Sequence, residues 1–322
     1  MILNNPVLVS NQNWRKLIPS TEKHFNACFE DAMSFPQIDG IVESEKYVRI
    51  VNCICCKSSD SRQIFVKWGF IYSECLICKH IYVKNQLKPE ILLDFYETSI
   101  ADNLALERQS NSHLKSYWSK VYDKYLMGLL DLGVQDIGNL LDVGCGLGNF
   151  LEFAKQKTRL NLFGSEFSEA SLAKLSELLG ANLFHKMQLR DIVQKTNKKF
   201  DLISFWGVLE HMTEPLENLV FAGKLLKPQG RIIALIPNFH SRAMQILGIN
   251  TPTLNPREHI QFFSEASMTK CAEKASLKIE QRYQELPIID LMYPFIQYSE
   301  RLISNIMERQ EAYYDVYIFR HA

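Results

Sequence analysis

The sequence predicts an α/β protein: a doubly wound, mostly parallel sheet of seven strands with a small cysteine-rich module ahead of it. Three observations carry the prediction. From residue 139 onward short apolar runs alternate with helical stretches, the pattern of βαβ units around a parallel sheet. The first of those runs, Leu140-Leu141-Asp142-Val143, passes into three alternate glycines, Gly144, Gly146 and Gly148, and then into a helix, as the first strand of such a sheet does. Five of the eight cysteines, Cys53, Cys55, Cys56, Cys75 and Cys78, crowd into residues 53–78, and nothing like that recurs.

Taken in order, residues 1–50 show no clear period and are expected to form an extension of unknown shape. Residues 51–88 form the cysteine module, with a hairpin from Gln63 to Tyr72 between its two thiol pairs. Residues 89–135 are expected to be a helical linker that covers a substrate. It holds a short helix over 89–96 and a longer one over 112–133, in which Leu114, Trp118, Val121, Tyr122, Tyr125, Leu126 and Leu129 recur at three and four residues. Residues 136–322 make the sheet. Strands are expected near 140–143, 161–165, 182–184, 200–205 and 231–236, with helices near 149–156, 169–179, 189–195 and 215–226 between them. The last of these helices stops at Lys227, Pro228 and Gly230, read as a last-turn cation, a breaker and a left-handed residue. A helix at 265–275, a strand at 277–283, an aromatic-rich helix at 289–309 and a strand at 314–319 complete the pattern.

The 36 Lys and Arg residues balance 36 Asp and Glu, and the pI is about 7.1. A chain that grips nucleic acid through a broad basic face needs surplus cations, so no nucleic-acid partner is expected. Lys186, Arg190, Lys195, Lys198 and Lys199 form a local basic run, read as a solvated face, with contact to a diphosphate left open. No apolar run reaches the ~20 residues of a bilayer-spanning helix, and residues 1–15 lack the basic start and apolar block of a secretory signal. The expectation is a cytoplasmic protein without stable membrane insertion. Tyr293, Phe295 and Tyr298 with Leu302, Ile303 and Ile306 read as core or dimer surface, so a homodimer stays open.

In a reducing compartment clustered thiols point to metal more than to disulfides. Cys53/Cys56 and Cys75/Cys78 are two C-x-x-C pairs, a spacing that lets two thiolates converge on one tetrahedral Zn²⁺ at ~2.3 Å. Four thiolates leave no position for water, so the expected zinc is structural. Cys55 reads as a small buried hydrophobe and His80 as a surface or packing residue.

The glycines after Val143 let backbone approach a ligand closely. A dinucleotide loop would place its third glycine at position 149, where this chain has Asn149, and a P-loop would need a following Gly-Lys-Ser/Thr, which is absent. Nicotinamide cofactors and ATP are thereby disfavoured. Glu166 ends the next strand, where a carboxylate can accept two hydrogen bonds from a ribose diol. Strand, glycine loop, helix, strand and acid in this order point to a nucleoside-bearing cofactor.

At these residues the sequence resembles the class I S-adenosylmethionine-dependent methyltransferases, which have a Rossmann-like fold. The likeness continues at 200–211, similar to that family's fourth strand and following loop, and at Leu225-Leu226-Lys227-Pro228-Gln229-Gly230, similar to its turn into the fifth strand. The resemblance implies that Asp142 and Gly144, Gly146 and Gly148 hold the methionine part of S-adenosylmethionine and Glu166 its ribose. It further implies that Phe167, Gln188 and Leu189 hold the adenine, and that Phe205 and Val208 flank the sulfonium.

A zinc ribbon ahead of such a domain is similar to the nucleotide-sugar C-methyltransferases and their relatives acting on sugars and small metabolites. Their Tyr-x-Glu-His element followed by Phe-Ser is matched by Pro256-Arg257-Glu258-His259-Ile260-Gln261-Phe262-Phe263-Ser264. Pro256 replaces the tyrosine and the large C-terminal domain of those enzymes is missing, which shifts the expectation from C- to O-methylation of a sugar, nucleotide sugar or similar small polar metabolite. His259 is the expected general base, Glu258 its orienting or proton-holding partner, and His211 a substrate-side group. Tyr96 and Arg257 are secondary candidates for substrate contact. A zinc-ribbon RNA base methyltransferase would call for excess cations around the ribbon, yet Lys57, Arg62 and Lys67 stand against Asp60 and Glu74. A non-catalytic cofactor-binding protein is the other alternative, and the intact glycines and Glu166 speak against it.

Overall fold

The structure, a computed structural model, describes residues 6–7, 18–286 and 299–322. Helix α1 (Ser20–Met33) is followed by strands β1 (Val48–Ile50), β2 (Ser61–Lys67), β3 (Phe70–Cys75), β4 (Ile81–Val83) and β5 (Asn85–Leu87). Helices α2 (Pro89–Thr98), α3 (Ile100–Ser110) and α4 (Ser112–Asp131) lead into the alternating part: β6 (Ile137–Val143), α5 (Asn149–Lys157), β7 (Arg159–Glu166), α6 (Leu172–Leu179), β8 (Leu183–His185), α7 (Leu189–Lys195), β9 (Phe200–Trp206), α8 (Pro215–Leu225) and β10 (Leu226–Pro237). The chain closes with α9 (Arg242–Leu247), β11 (Gln261–Phe262), α10 (Glu265–Lys274), β12 (Leu277–Glu285), α11 (Glu300–Glu308) and β13 (Tyr314–His321). No helix among the described residues is long and apolar enough to cross a membrane.

The main sheet has seven strands in the order β12-β13-β10-β9-β6-β7-β8. Strands β10, β9, β6, β7 and β8 run parallel, while β13 pairs antiparallel with both β10 and β12. The sheet is mostly parallel, as the alternation predicts. Side chains alternate across it with period two: Leu141, Phe163, Ile203 and Phe205 face one layer, Leu140, Leu162, Leu202, Ile233 and Leu235 the other. The second layer is closed by α4, whose Val121, Tyr125, Leu126 and Leu129 are fully buried.

Where residues 1–50 are described, they supply α1 and β1. Of the local expectations, the one at Gly230 needs correction. Gly230 is not left-handed: its φ is not positive, and it is glycine for space, since a Cβ there would sit 2.9 Å from the Phe200 carbonyl oxygen and 2.8 Å from Leu226 Cδ1 at the β10 bulge. The helix expected over 289–309 is seen as Glu300–Glu308, and Tyr293, Phe295 and Tyr298 lie outside the described residues.

The sheet of the cysteine module also takes in a strand from far along the chain. Its hairpin and β4 form a four-stranded sheet in the order β11-β4-β3-β2, so a segment from after the fifth parallel strand, Gln261–Phe262, completes it. Its cysteines share a buried cluster with Leu141, Val143 and Phe205 of the main sheet. A module this small has little core of its own and borrows one.

Candidate active site

The glycine loop sits at the C-terminal end of β6, on the edge where parallel sheets bind ligands. Gly144, Gly146 and Gly148 all have positive φ, between 53° and 76°, a conformation costly for any other residue. Gly144 also needs its small size, since a Cβ would lie 2.9 Å from Val208 Cγ2. In front of the loop a cavity of about 390 Å³ runs past Val143, Gly144, Gly146, Ser165, Glu166 and Phe167 to Gln188, Leu189 and Val208. Backbone without side chains at one end and Phe167 with Leu189 at the other fit a nucleoside with a small charged tail.

Within this wall Glu166 does more than face a ligand. One carboxylate oxygen accepts from Gly146 N (2.7 Å), the other from Phe167 N (2.7 Å) and Ser168 N (3.0 Å), so the acid also fixes the loop's shape. Gln188 caps α7 reciprocally with Asp191, which commits part of its side chain to the helix. Two expected cofactor residues stand away from the cavity. Asp142 is buried below the loop, accepts from Ser204 Oγ at 2.7 Å, and is raised by burial to about 8. Phe205 is fully buried within β9 and packs in the core. Asp142 lies one residue before Val143, the last of β6, and Phe205 one before the end of β9; Val143, Gly207 and Val208 line the cavity instead. Gly148 also stays back from the wall, starting α5 against Leu175 and Leu178.

A second cavity of about 350 Å³ adjoins the first, and Gln109, Gly207, His211 and Glu258 line both. His211 and His259 meet edge to face with ring centres 4.7 Å apart. Nδ1 of His259 lies 2.8 Å from the Thr253 carbonyl oxygen. A carbonyl can only accept, so Nδ1 carries the proton and Nε2 keeps a lone pair. Burial lowers the pKa of His259, and burial with the nearby His259 drops His211 to about 3, so both rings are neutral at pH 7. Glu210, grouped with these two rings, is raised by burial to about 8.

Glu258 does not orient His259; the Thr253 carbonyl does. The Glu258 carboxylate is instead claimed by Arg257 at 2.7 Å and faces His24 Nε2 at 3.7 Å. Burial pushes it up, but the Arg257 charge and then the histidines prevail and hold it at about 2. Arg257 is likewise no cavity residue. It is buried and ties Asp102 of α3 (3.0 Å), Asp31 of α1 (3.5 Å) and Glu258 into one ion-paired cluster. The side chain of Tyr96 lies outside the described residues. In the basic run, Lys186 pairs with Glu169 and Arg190 with Glu217, in line with a solvated face.

The four paired thiols converge. Sγ atoms of Cys53 and Cys78 are 3.4 Å apart, as are those of Cys56 and Cys75, and all four lie within 4.8 Å of one another. Sulfurs ~2.3 Å from one tetrahedral ion stand ~3.8 Å apart, so donor set and spacing fit a closed metal site. Cys55 is buried beside Cys271. His80 is buried, stacks with Tyr82 and approaches Gln261 Oε1 at 2.7 Å.

Other wall residues come from parts of the sequence that gave no signal. Gln109 of α3 accepts from Leu147 N at 3.2 Å and stands over the glycine loop. His24 of α1 and Arg108 of α3 line the second cavity with Phe25, Tyr117, Trp118 and Tyr314. None has a motif spacing, and only the burial of α1 and α3 against the 257–259 segment brings them there.

Comparison with known proteins agrees with this geometry. The sequence model of a family described as "Methyltransferase domain" matches residues 110–282, just over half of the chain. A "Ubiquinone biosynthesis O-methyltransferase" of Coxiella burnetii is 28% identical over 150 residues, covering 44% of this chain, and the chain spans 64% of that relative's length. One of the same name from Cereibacter sphaeroides is 31% identical over 34% of this chain and 46% of its own. Among solved structures, an S-adenosylmethionine-dependent methyltransferase from Archaeoglobus fulgidus is similar at a TM-score of 0.46 with 19% identity, covering 63% of this chain and 94% of its own. With the family model spanning the chain from β6 to β11, and with it the glycine loop, the chain belongs to the methyltransferase-domain family.

Proposed function

We propose that this methyltransferase acts on a hydroxyl of a small polar acceptor, a sugar, nucleotide sugar or related metabolite, with His259 as general base. S-adenosylmethionine supplies the activated methyl carbon. The observation that carries the reading is the hydrogen bond from His259 Nδ1 to Thr253, which leaves Nε2 as a neutral acceptor in a cavity adjoining the cofactor cavity. A hydroxyl must lose its proton as it attacks, and a positioned imidazole takes it. Oxygen as the methylated atom is further supported by the names of the relatives. Trp118, Tyr117 and Tyr314 offer apolar faces for a sugar ring, while the histidines supply polar contacts. His211 shares the wall and positions the acceptor. The ribbon would hold one structural Zn²⁺ on Cys53, Cys56, Cys75 and Cys78, away from the chemistry. In domain terms, 1–50 would be an extension, 51–88 the ribbon, 89–135 the lid and 136–322 the catalytic unit.

The test is His259→Ala with an acceptor found by screening glycosides and nucleotide sugars. Cofactor affinity should stay within ~0.5 kcal/mol and kcat should fall roughly 10²–10⁴-fold. Because the base must be neutral and its pKa is lowered, the wild-type rate should rise with pH through a limb below pH ~6.5, which the variant loses. A loss under tenfold would move the base to His211 or Glu210.

A further inference from the structure

From the walls of the second cavity we infer that the acceptor carries an oxyanion, carboxylate or phosphate, which Arg108 binds across the cavity from His259. The inference rests on the proposal that this cavity holds the acceptor. Arg108 lines the cavity, and its Nε is buried without a hydrogen-bond partner. The ion pairs of this wall run through Arg257, and among the described residues none includes Arg108. The two carboxylates that share the cavity do not neutralise it. Glu258 is taken by Arg257 at 2.7 Å, and Glu210 is kept protonated by burial, with its Oε2 unpartnered. What holds Arg108 in place is Phe25, whose ring centre lies 5.7 Å from the guanidinium carbon.

A guanidinium fixed over an aromatic ring presents a planar fork that matches carboxylate or phosphate oxygens. The walls around it, Phe25, Tyr117, Trp118 and Tyr314, are aromatic. Such a setting strengthens an ion interaction relative to open water. The same charge bears on the base. After burial, the charge of Arg108 is one of the influences that hold His259 and His24 below the usual range. An anion seated on Arg108 offsets that influence, so the acceptor itself would make His259 a better proton acceptor.

The experiment uses the full chain saturated with S-adenosylhomocysteine and follows fluorescence of Trp118 and Trp206, both in the cavity wall. Probes are matched pairs differing in charge: glucuronate against glucose, glucose 1-phosphate against glucose, and benzoate against benzyl alcohol. Each charged member should bind at least tenfold more tightly than its neutral partner in at least one pair. That preference should vanish in Arg108→Gln, survive in part in Arg108→Lys, and shrink with added salt. The carboxylate and phosphate pairs tell the two oxyanions apart. Preference for benzoate alone would keep the inference and refute the sugar reading. Equal or absent binding of all charged and neutral probes to the wild type, or a preference unchanged in Arg108→Gln, would overturn the inference. Cofactor affinity unchanged in both variants shows that they are folded.

Discussion

Replacing Arg257 by methionine removes the one cation from a cluster of three carboxylates. The arginine side chain is 2% exposed, and those of Glu258, Asp102 and Asp31 are 12%, 17% and 20% exposed. Water can therefore do little to replace it. Two of the contacts, at 2.7 and 3.0 Å, are charge-assisted hydrogen bonds worth ~1.5–3 kcal/mol each, and breaking a buried ion pair from one side costs ~3–5 kcal/mol. We expect Arg257→Met to lose about 4 kcal/mol of stability at pH 8, read by urea unfolding with tryptophan fluorescence. The loss should shrink with acid. Burial already raises Asp102 to about 6 despite Arg257, and without the arginine Asp102 rises further above its unfolded value near 4 while Glu258 loses the charge that holds it at about 2 against burial. A carboxyl raised in the folded state destabilises fully above its folded pKa and not at all below its unfolded one. The deficit at pH 5.5 should thus be smaller by at least ~1 kcal/mol, and Asp102→Asn should recover ~1–2 kcal/mol in the variant. A deficit under 1 kcal/mol, or one equal at both pH values, would refute the claim that this cluster holds helices α1 and α3 to the 257–259 segment.

Glu166→Ala should weaken S-adenosylmethionine binding by about 2–4 kcal/mol in calorimetry, because it removes the ribose acceptor and also leaves the amides of Gly146, Phe167 and Ser168 unpaired; unchanged affinity contradicts the site. Elemental analysis of protein prepared under reducing conditions without chelator should give one zinc per chain, and a chelator should lower the thermal midpoint; sub-stoichiometric metal rules the site out.

What the sequence made legible was local. Apolar runs, glycine spacing and paired cysteines are short-range patterns, and the strands at 140–143, 200–205 and 231–236 lie within the observed β6, β9 and β10. What it hid was set by direction and by distance. Glu258 and His259 look like partners because they are adjacent, yet Arg257 and His24 take the carboxylate and the Thr253 carbonyl takes the imidazole Nδ1. Asp142 and Phe205 fall in motif positions, but Asp142 is buried against Ser204 and Phe205 packs in the core. Arg108, Gln109 and His24 reach the cavities only through packing of α1 and α3, which no spacing within those helices announces.

The cysteine module acquires a reason from one strand pair. Gln261 and Phe262 pair with Tyr82 and Ile81, Val83 N donates to the Ile260 carbonyl at 3.0 Å, and Ile260 N donates to the Glu210 carbonyl at 2.9 Å. His80, two residues past Cys78, meets Gln261 at 2.7 Å. The segment bearing His259 is thus clamped between the loop after β9, which carries His211, and the sheet beside the four thiols. In the proposed role of His259 as base, a misplacement of ~1 Å would cost about 10²-fold in rate, so its backbone needs support on both sides. A two-residue strand cannot supply that stiffness alone; one pinned to a hairpin that a metal cross-links would. A metal on the four thiols would therefore serve the chemistry without touching it, by holding β4 where β11 must pair.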